Sequence, residues 1–275
     1  MRTKVLAGGL ALGVCLAAMI SPAQAAGQDK RALVAALVSE LGYGRAVHNF
    51  KDYVLRGDEA YRVKARDYFL SAKEKIGALR RLDSVTEVER MALDDLESVI
   101  DSYIAALPTI QRAYRQSRTL ARVLNATAAQ LEIDDQLAIE SIALLRKGYQ
   151  WSPVEKLVFA LGYGSAIHNF KNYLIFRDEK YRQWADAWFE EALQIVARMK
   201  WRERKNSRKL AALKEVESVL NAYRSALPVM ARTLEPARAS QSEVVINVAV
   251  RGADKALKVE DMPALEGLKV LLAGS

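Results

Sequence analysis

LGYGRAVHNFKDYVLRGDEAYR, residues 41–62, is written a second time as LGYGSAIHNFKNYLIFRDEKYR at residues 161–182, and 14 of the 22 positions are identical. The same offset of 120 residues aligns LESVIDSYIAALP with VESVLNAYRSALP, ending at Pro108 and Pro228. A third match, IDDQLAIESIALL at 133–145 with VEDMPALEGLKVL at 259–271, needs an offset of 126, so the second copy carries a short extra segment between residues 237 and 258. Self-similarity at this period is too long for a solenoid element and predicts two tandem homologous units, residues 29–148 and 149–275.

The periodicity is helical nearly throughout. Ser152, Pro153 and Glu155 form an N-cap, a proline at the first helical position and a capping-box partner, which start a helix. Ser84 and Glu87 have the same spacing, and Asp58 and Asp178 open the helix that follows each copy of the phrase. No stretch alternates like a half-buried strand for long enough to argue for a sheet; SEVVINVAV at 242–250 comes nearest. The expected fold class is therefore all-α, two tandem helical-bundle units of about four helices each: 30–56, 58–81, 85–107 running past Pro108 to 125, and 134–147 in the first unit.

On a helix, Leu37, Leu41, Gly44, His48, Lys51 and Leu55 recur at steps of three and four, which makes one stripe, and Leu157, Leu161, Gly164, His168, Lys171 and Ile175 repeat it. An imidazole and an ammonium thus share the face that packs inward, while Arg45 and Asp52 read as wet. Gly44 and Gly164 each cost a helix interior about 1 kcal/mol, so something needs the room, another backbone or a small molecule. A buried lysine must snorkel, pair with a carboxylate or meet an anion.

Two accounts of the phrase follow. In one it is a packing device, with a snorkelling lysine, a hydrogen-bonded core histidine and glycines that admit a neighbouring helix. In the other it is a ligand pocket whose donors are Tyr43, His48, Asn49 and Lys51 beside Gly44, matched by Tyr163, His168, Asn169 and Lys171 beside Gly164. His48 and His168 are the only histidines. One per unit is too few for a typical zinc site, and a single imidazole is all that argues for haem, so no metal and no cofactor are expected. No phosphate loop, nucleophile elbow or paired acid motif accompanies them, and the chain is read as no enzyme. Asp135 and Asp261 occupy matching positions and are expected to cap helices.

The first 26 residues have Arg2 and Lys4, an apolar run from Val5 to Ile20 and small residues at Ala23 and Ala25, the layout of a secretory signal peptide. The sole cysteine, Cys15, lies within it, so the mature chain has no disulfide and no thiolate metal site. The full chain carries a net charge of +8, two of it on Arg2 and Lys4, which leaves +6 on the mature protein. Export makes nucleic acid an implausible partner, and no later apolar run reaches membrane length. The expected location is periplasmic or secreted, without stable membrane insertion after cleavage. The basic run KWRERKNSRK at 200–209 reads as a solvated connection, with a docking patch as the sharper alternative.

The phrase GYGRAVHNFKDY with the following RGDEAY, and VEDMPALEGL at 259–268, resemble the periplasmic sensory regions of bacterial chemoreceptors, diguanylate cyclases and sensor kinases, which carry GYGGLIHNFKNYVLRGDEKY-like and VDD-x-PALEAL-like stretches. The resemblance spans both units and implies a helical extracytoplasmic input domain used in signal transduction. By position it points to Gly42, Tyr43, Gly44, His48, Asn49, Phe50, Lys51 and Tyr53 and their counterparts at 162–173. It brings no agreed ligand. The sequence departs from those receptors in having no second span, signalling stem or output domain, in Asp52 standing where Asn172 and the family have asparagine, and in Ile175, Phe176 and Arg177 replacing the usual LRG. The functional expectation is an exported, non-enzymatic, sensor-like protein that binds a small, anionic or carbonyl-bearing solute or a membrane-bound signalling protein, with a homodimer as a further candidate assembly. The alternative is a structural or interaction protein in which the phrase only packs helices and the basic segment docks a partner.

Overall fold

The computed structural model describes residues 22–117, 119–131, 133–238, 240, 242–256 and 261–273. Of the leader expected over residues 1–26, residues 1–21 lie outside the described residues, and the remainder belongs to the first helix. Among the described residues the secondary structure is helical, with no strand. The first half runs α1 (Pro22–Leu41), α2 (Ala46–Arg56), α3 (Glu59–Arg80), α4 (Glu87–Gln116), α5 (Leu120–Ala126), α6 (Ala128–Leu131) and α7 (Asp135–Arg146). The second half runs α8 (Pro153–Leu161), α9 (Ala166–Phe176), α10 (Glu179–Arg202), α11 (Ser207–Arg238), α12 (Glu243–Ala256) and α13 (Met262–Ala273). The stretch 242–250, nearest to a strand in sequence, lies in α12 apart from Ser242.

Several helix starts follow from side chains that satisfy free N–H groups. Ser152 and Glu155 form the expected capping box of α8, and Asp58 and Asp178 accept from the amides of Ala60 and Lys180 to start α3 and α10. At α4 the expected pair Ser84 and Glu87 gives way to Thr86 and Glu89, two residues on, which make the box reciprocally. Pro108 and Pro228 sit inside α4 and α11, but the helix expected to run on to 125 ends at Gln116, where Ser117 turns extended and α5 starts anew, so that the described residues form seven helices in the first half and six in the second rather than about four each.

The phrase departs from its expected form. Rather than one helix over 30–56, the chain breaks after Leu41 and after Leu161 and turns through GYG before α2 and α9 begin. Gly44 and Gly164 have φ of +74° and +77°, the left-handed region that L side chains avoid. Their role is therefore conformational as well as spatial: a Cβ there would meet Leu265 Cδ2 at 2.5 Å or Ile139 Cγ1 at 2.6 Å, side chains of α13 and α7.

In the first half α3 packs on α1, α2 and α4, and α7 lies on α4; in the second half α10 packs on α8, α9 and α11, and α11 carries α12 and α13. The halves meet where α2 faces α9, α1 faces α8, and α5 faces α12. Each half has the same aromatic core. Phe50 meets Tyr103 edge-on at 4.8 Å and Phe69 stacks on that tyrosine at 5.1 Å; Phe170 and Phe189 treat Tyr223 the same way at 4.9 and 5.9 Å.

Candidate functional site

The two GYG turns come together back to back. A Cβ on Gly162 would lie 3.3 Å from Gly42 Cα and 3.0 Å from the Val158 carbonyl oxygen, so the first glycine of each phrase allows one backbone to approach the other. This contact brings α2 and α9 side by side and places the ionisable groups of both phrases in one buried cluster.

The lysines do not snorkel; each crosses to the other phrase. Lys171 Nζ lies 2.7 Å from Asp52 Oδ1 and 3.1 Å from His48 Nε2. Lys51 donates to Asn172 Oδ1 and lies 3.7 Å from Asp135 Oδ2. Asp52, expected to be wet, is only 3% exposed. It lies one turn after His48 on α2, and its Oδ2 is 3.0 Å from the imidazole Nε2.

Asp135 and Asp261 complete the cluster, again across the halves. Asp135 accepts from Tyr163 at 2.7 Å and from Tyr103, and its Oδ2 is 3.1 Å from His168 Nε2. Asp261 accepts from Tyr43 at 2.6 Å and Tyr223 at 2.5 Å, and its Oδ2 is 3.4 Å from His48 Nε2. The expectation that these aspartates serve as helix caps is corrected: Asp134 caps α7 by accepting from the Leu137 amide, and the side chain of Asp261, although it sits just before α13, is committed to the two phenols and the imidazole. Each carboxylate thus ties a tyrosine of its own half to a tyrosine and a histidine of the other.

Asn49 and Asn169 face elsewhere. Their amide nitrogens donate to the carbonyls of Gly44 and Arg45, and of Gly164 and Ser165, at 2.6–3.0 Å. They staple the turn that the glycines make, a positioning role that both share.

Three carboxylates, two ammonium groups and two imidazoles make the electrostatics asymmetric, because Asp52 is matched by neutral Asn172. For His48, burial and the Lys171 charge favour the neutral ring, but Asp52 and Asp261 outweigh them and raise the imidazole above its ordinary value. For His168, burial and Lys51 prevail over Asp135 and lower it. Burial alone would raise the carboxyls; the lysines and histidines instead hold Asp52 and Asp135 far below the usual range and Asp261 at about 2. Burial lowers Lys51 although Asp135 opposes it. The four phenols are held well above their ordinary value by burial and the adjoining aspartates, so they remain donors. A proton on His48 makes the cluster neutral overall.

Between the phrases a cavity of about 10 Å³ is lined by Tyr43, His48, Lys51, Tyr163, His168 and Lys171, among others. That is room for about one water molecule, so the donors that the sequence assigns to a ligand are occupied with one another. Nδ1 of each histidine is buried without a hydrogen-bond partner. Among the described residues no group of three or more histidine, cysteine or carboxylate side chains could hold a metal ion; the cations facing the carboxylates are the two ammonium groups.

A far larger space adjoins the cluster. A cavity of about 810 Å³ opens between the segment 124–139 and α9–α10, and Gly164, His168, Asn169, Asn172 and Asp135 line its inner end. Its outer wall is Phe176, Tyr181, Trp184 and Trp188. Of the sequence-assigned residues, Gly164, His168 and Asn169 thus reach a ligand-sized space, whereas Tyr163 and Lys171, like Tyr43, His48 and Lys51, line the small cavity between the phrases. Sequence reasoning passed over Tyr103 and Tyr223 as partners. Their signal was present, since the aligned stretches LESVIDSYIAALP and VESVLNAYRSALP each hold one tyrosine at the same place.

Comparison with known proteins adds no further assignment: no family model, curated protein or solved structure matches the chain.

Proposed function

We propose that the chain is an exported, non-enzymatic, sensor-like binding protein made of two tandem helical bundles, in which the duplicated phrase joins the bundles and a small solute binds beside that joint. The observation that carries this reading is the 810 Å³ cavity whose inner end is formed by His168, Asn172 and Asp135, three members of the charged cluster. A solute seated there touches groups that hold the halves together, so its binding energy couples to the joint through contacts that change with occupancy. The leader-like N-terminus and the resemblance to sensory regions favour export and a membrane-bound signalling protein as the receiver. No nucleophile with an adjacent base, and no cofactor site, is part of this reading.

The test is a thermal-shift panel of small carboxylates, amines and nucleobases on the mature chain, with the His168 imidazole followed by NMR. A true solute raises Tm and moves that resonance. A panel that leaves both unchanged overturns the reading.

The docking alternative has its own support: Trp201, inside the basic run 200–209, is 69% exposed. In that case the protein binds an acidic partner whether or not the cavity is filled, and Trp201→Ala abolishes the capture.

A further inference from the structure

The walls of the large cavity differ between the halves in a way that points to the kind of molecule it takes. At the offset of 120, Phe176, Arg177, Lys180, Trp184 and Trp188 stand where the first half has Arg56, Gly57, Ala60, Lys64 and Tyr68. Three of these changes replace two cations and a phenol by large rings, and all five residues line or border the cavity. Phe176 and Tyr181 lie 5.5 Å apart and Tyr181 meets Trp184 edge-on at 5.7 Å, so the rings form a continuous row. Trp184 is 50% exposed.

Arg177 is the polar exception within that row. Its backbone has φ of +60°, and it is the non-glycine residue held in the left-handed region among the described residues, at the position where Gly57 has φ of +70°. A side chain kept where glycine is easier is a sign of use. Its Nη1 is buried and has no hydrogen-bond partner, although the guanidinium is a donor that almost always finds one when buried.

The acids of the same wall are already engaged. Asp134 caps α7, Asp135 accepts from two tyrosines beside His168, and Asp178 caps α10 and pairs with Lys180 at 3.1 Å. Three carboxylates in one lining repel a polyanion such as a nucleotide, whereas a single negative charge can be met by the Arg177 guanidinium.

We infer that the cavity binds a small organic acid with one carboxylate and a flat aromatic body, the carboxylate taken by Arg177 and the ring laid along Phe176, Tyr181 and Trp184. This rests on the proposed function and names its ligand class. A guanidinium meets a carboxylate with paired N–H donors, and the aromatic row supplies apolar area and ring contacts.

The test uses isothermal titration calorimetry on the mature chain with indole-3-acetate, tryptamine and acetate, which separate the ring from the charge. Indole-3-acetate is expected to bind, tryptamine and acetate at least tenfold more weakly. Arg177→Gly restores the residue of the first half and keeps the backbone geometry; it is expected to weaken indole-3-acetate at least tenfold while leaving Tm unchanged or higher. Trp184→Ala, at a half-exposed position, is expected to weaken it as well. Equal binding of tryptamine, or unaltered binding of the acid by Arg177→Gly, overturns the inference and leaves the solute-binding reading standing. Silence from all three together with a hit elsewhere in the thermal-shift panel does the same, and silence throughout overturns both.

Discussion

Asp52→Asn converts the first phrase to the second at the one position where the cluster is asymmetric. The carboxylate is almost fully buried, 2.7 Å from Lys171 Nζ and 3.0 Å from His48 Nε2. Removing one member of a buried ion pair leaves the other without compensation, which costs about 3–5 kcal/mol; asparagine keeps an acceptor oxygen, so the lower end, about 3 kcal/mol, is expected. In a chain of this size that lowers Tm by about 6–12 °C. Lys171→Met is expected to cost less, about 2 kcal/mol, because Asp52 retains His48 as a counter-charge. The double variant replaces the pair rather than breaking it and is expected within about 1 kcal/mol of the wild type. Urea unfolding of the four proteins at equal m-values yields a coupling of about 4–6 kcal/mol. Additivity to within about 0.5 kcal/mol would refute the pairing across the halves.

Two further substitutions probe the joint. Gly162→Ala puts a Cβ against the Val158 carbonyl and the Gly42 backbone; neither can rotate away, so the turns are pushed apart and a loss of about 1–3 kcal/mol is expected by the same unfolding assay. The histidines give opposite pH signatures. His48 is raised, so its contribution is complete below the unfolded value and lost as pH rises through the folded one; the destabilisation by His48→Gln is expected to be greater at about pH 5.5 than at about pH 8.5. His168 is lowered, so its contribution is present above the unfolded value and lost as pH falls through the folded one; the destabilisation by His168→Gln is expected to shrink over the same descent.

The all-α architecture was legible because its signals are local: the stripe of Leu37 and Leu41, the capping box of Ser152 and Glu155, and Asp58 and Asp178 after each phrase all act within one or two turns. The break at GYG was not, since a glycine in a helical stripe reads alike whether it admits a neighbour or takes a positive φ. Which of the two applies is decided by Leu265 and Ile139, far along the chain. Placing His48 and Lys51 inside was correct, although the stripe through Leu41 is cut by the turn: α2 is buried on every side from Ala46 to Leu55. Asp52 was misjudged because its partner, Lys171, lies 119 residues away and across the joint. The same distance hid the role of Asp135 and Asp261, whose position at helix starts offers a local explanation that their side chains do not follow. Arg177 was visible only as a departure from LRG; the cavity behind it depends on how α9 and α10 face the segment 124–139.

The central claim is that two chemically similar histidines occupy opposite electrostatic settings in one buried cluster that joins the repeated phrases. An NMR pH titration of the two imidazoles tests it most directly. The account predicts one resonance, assigned through His48→Gln, that titrates above the ordinary histidine value of about 6.5, and a second that titrates below it. Both titrating together near about 6.5, as solvent-exposed rings do, would contradict it.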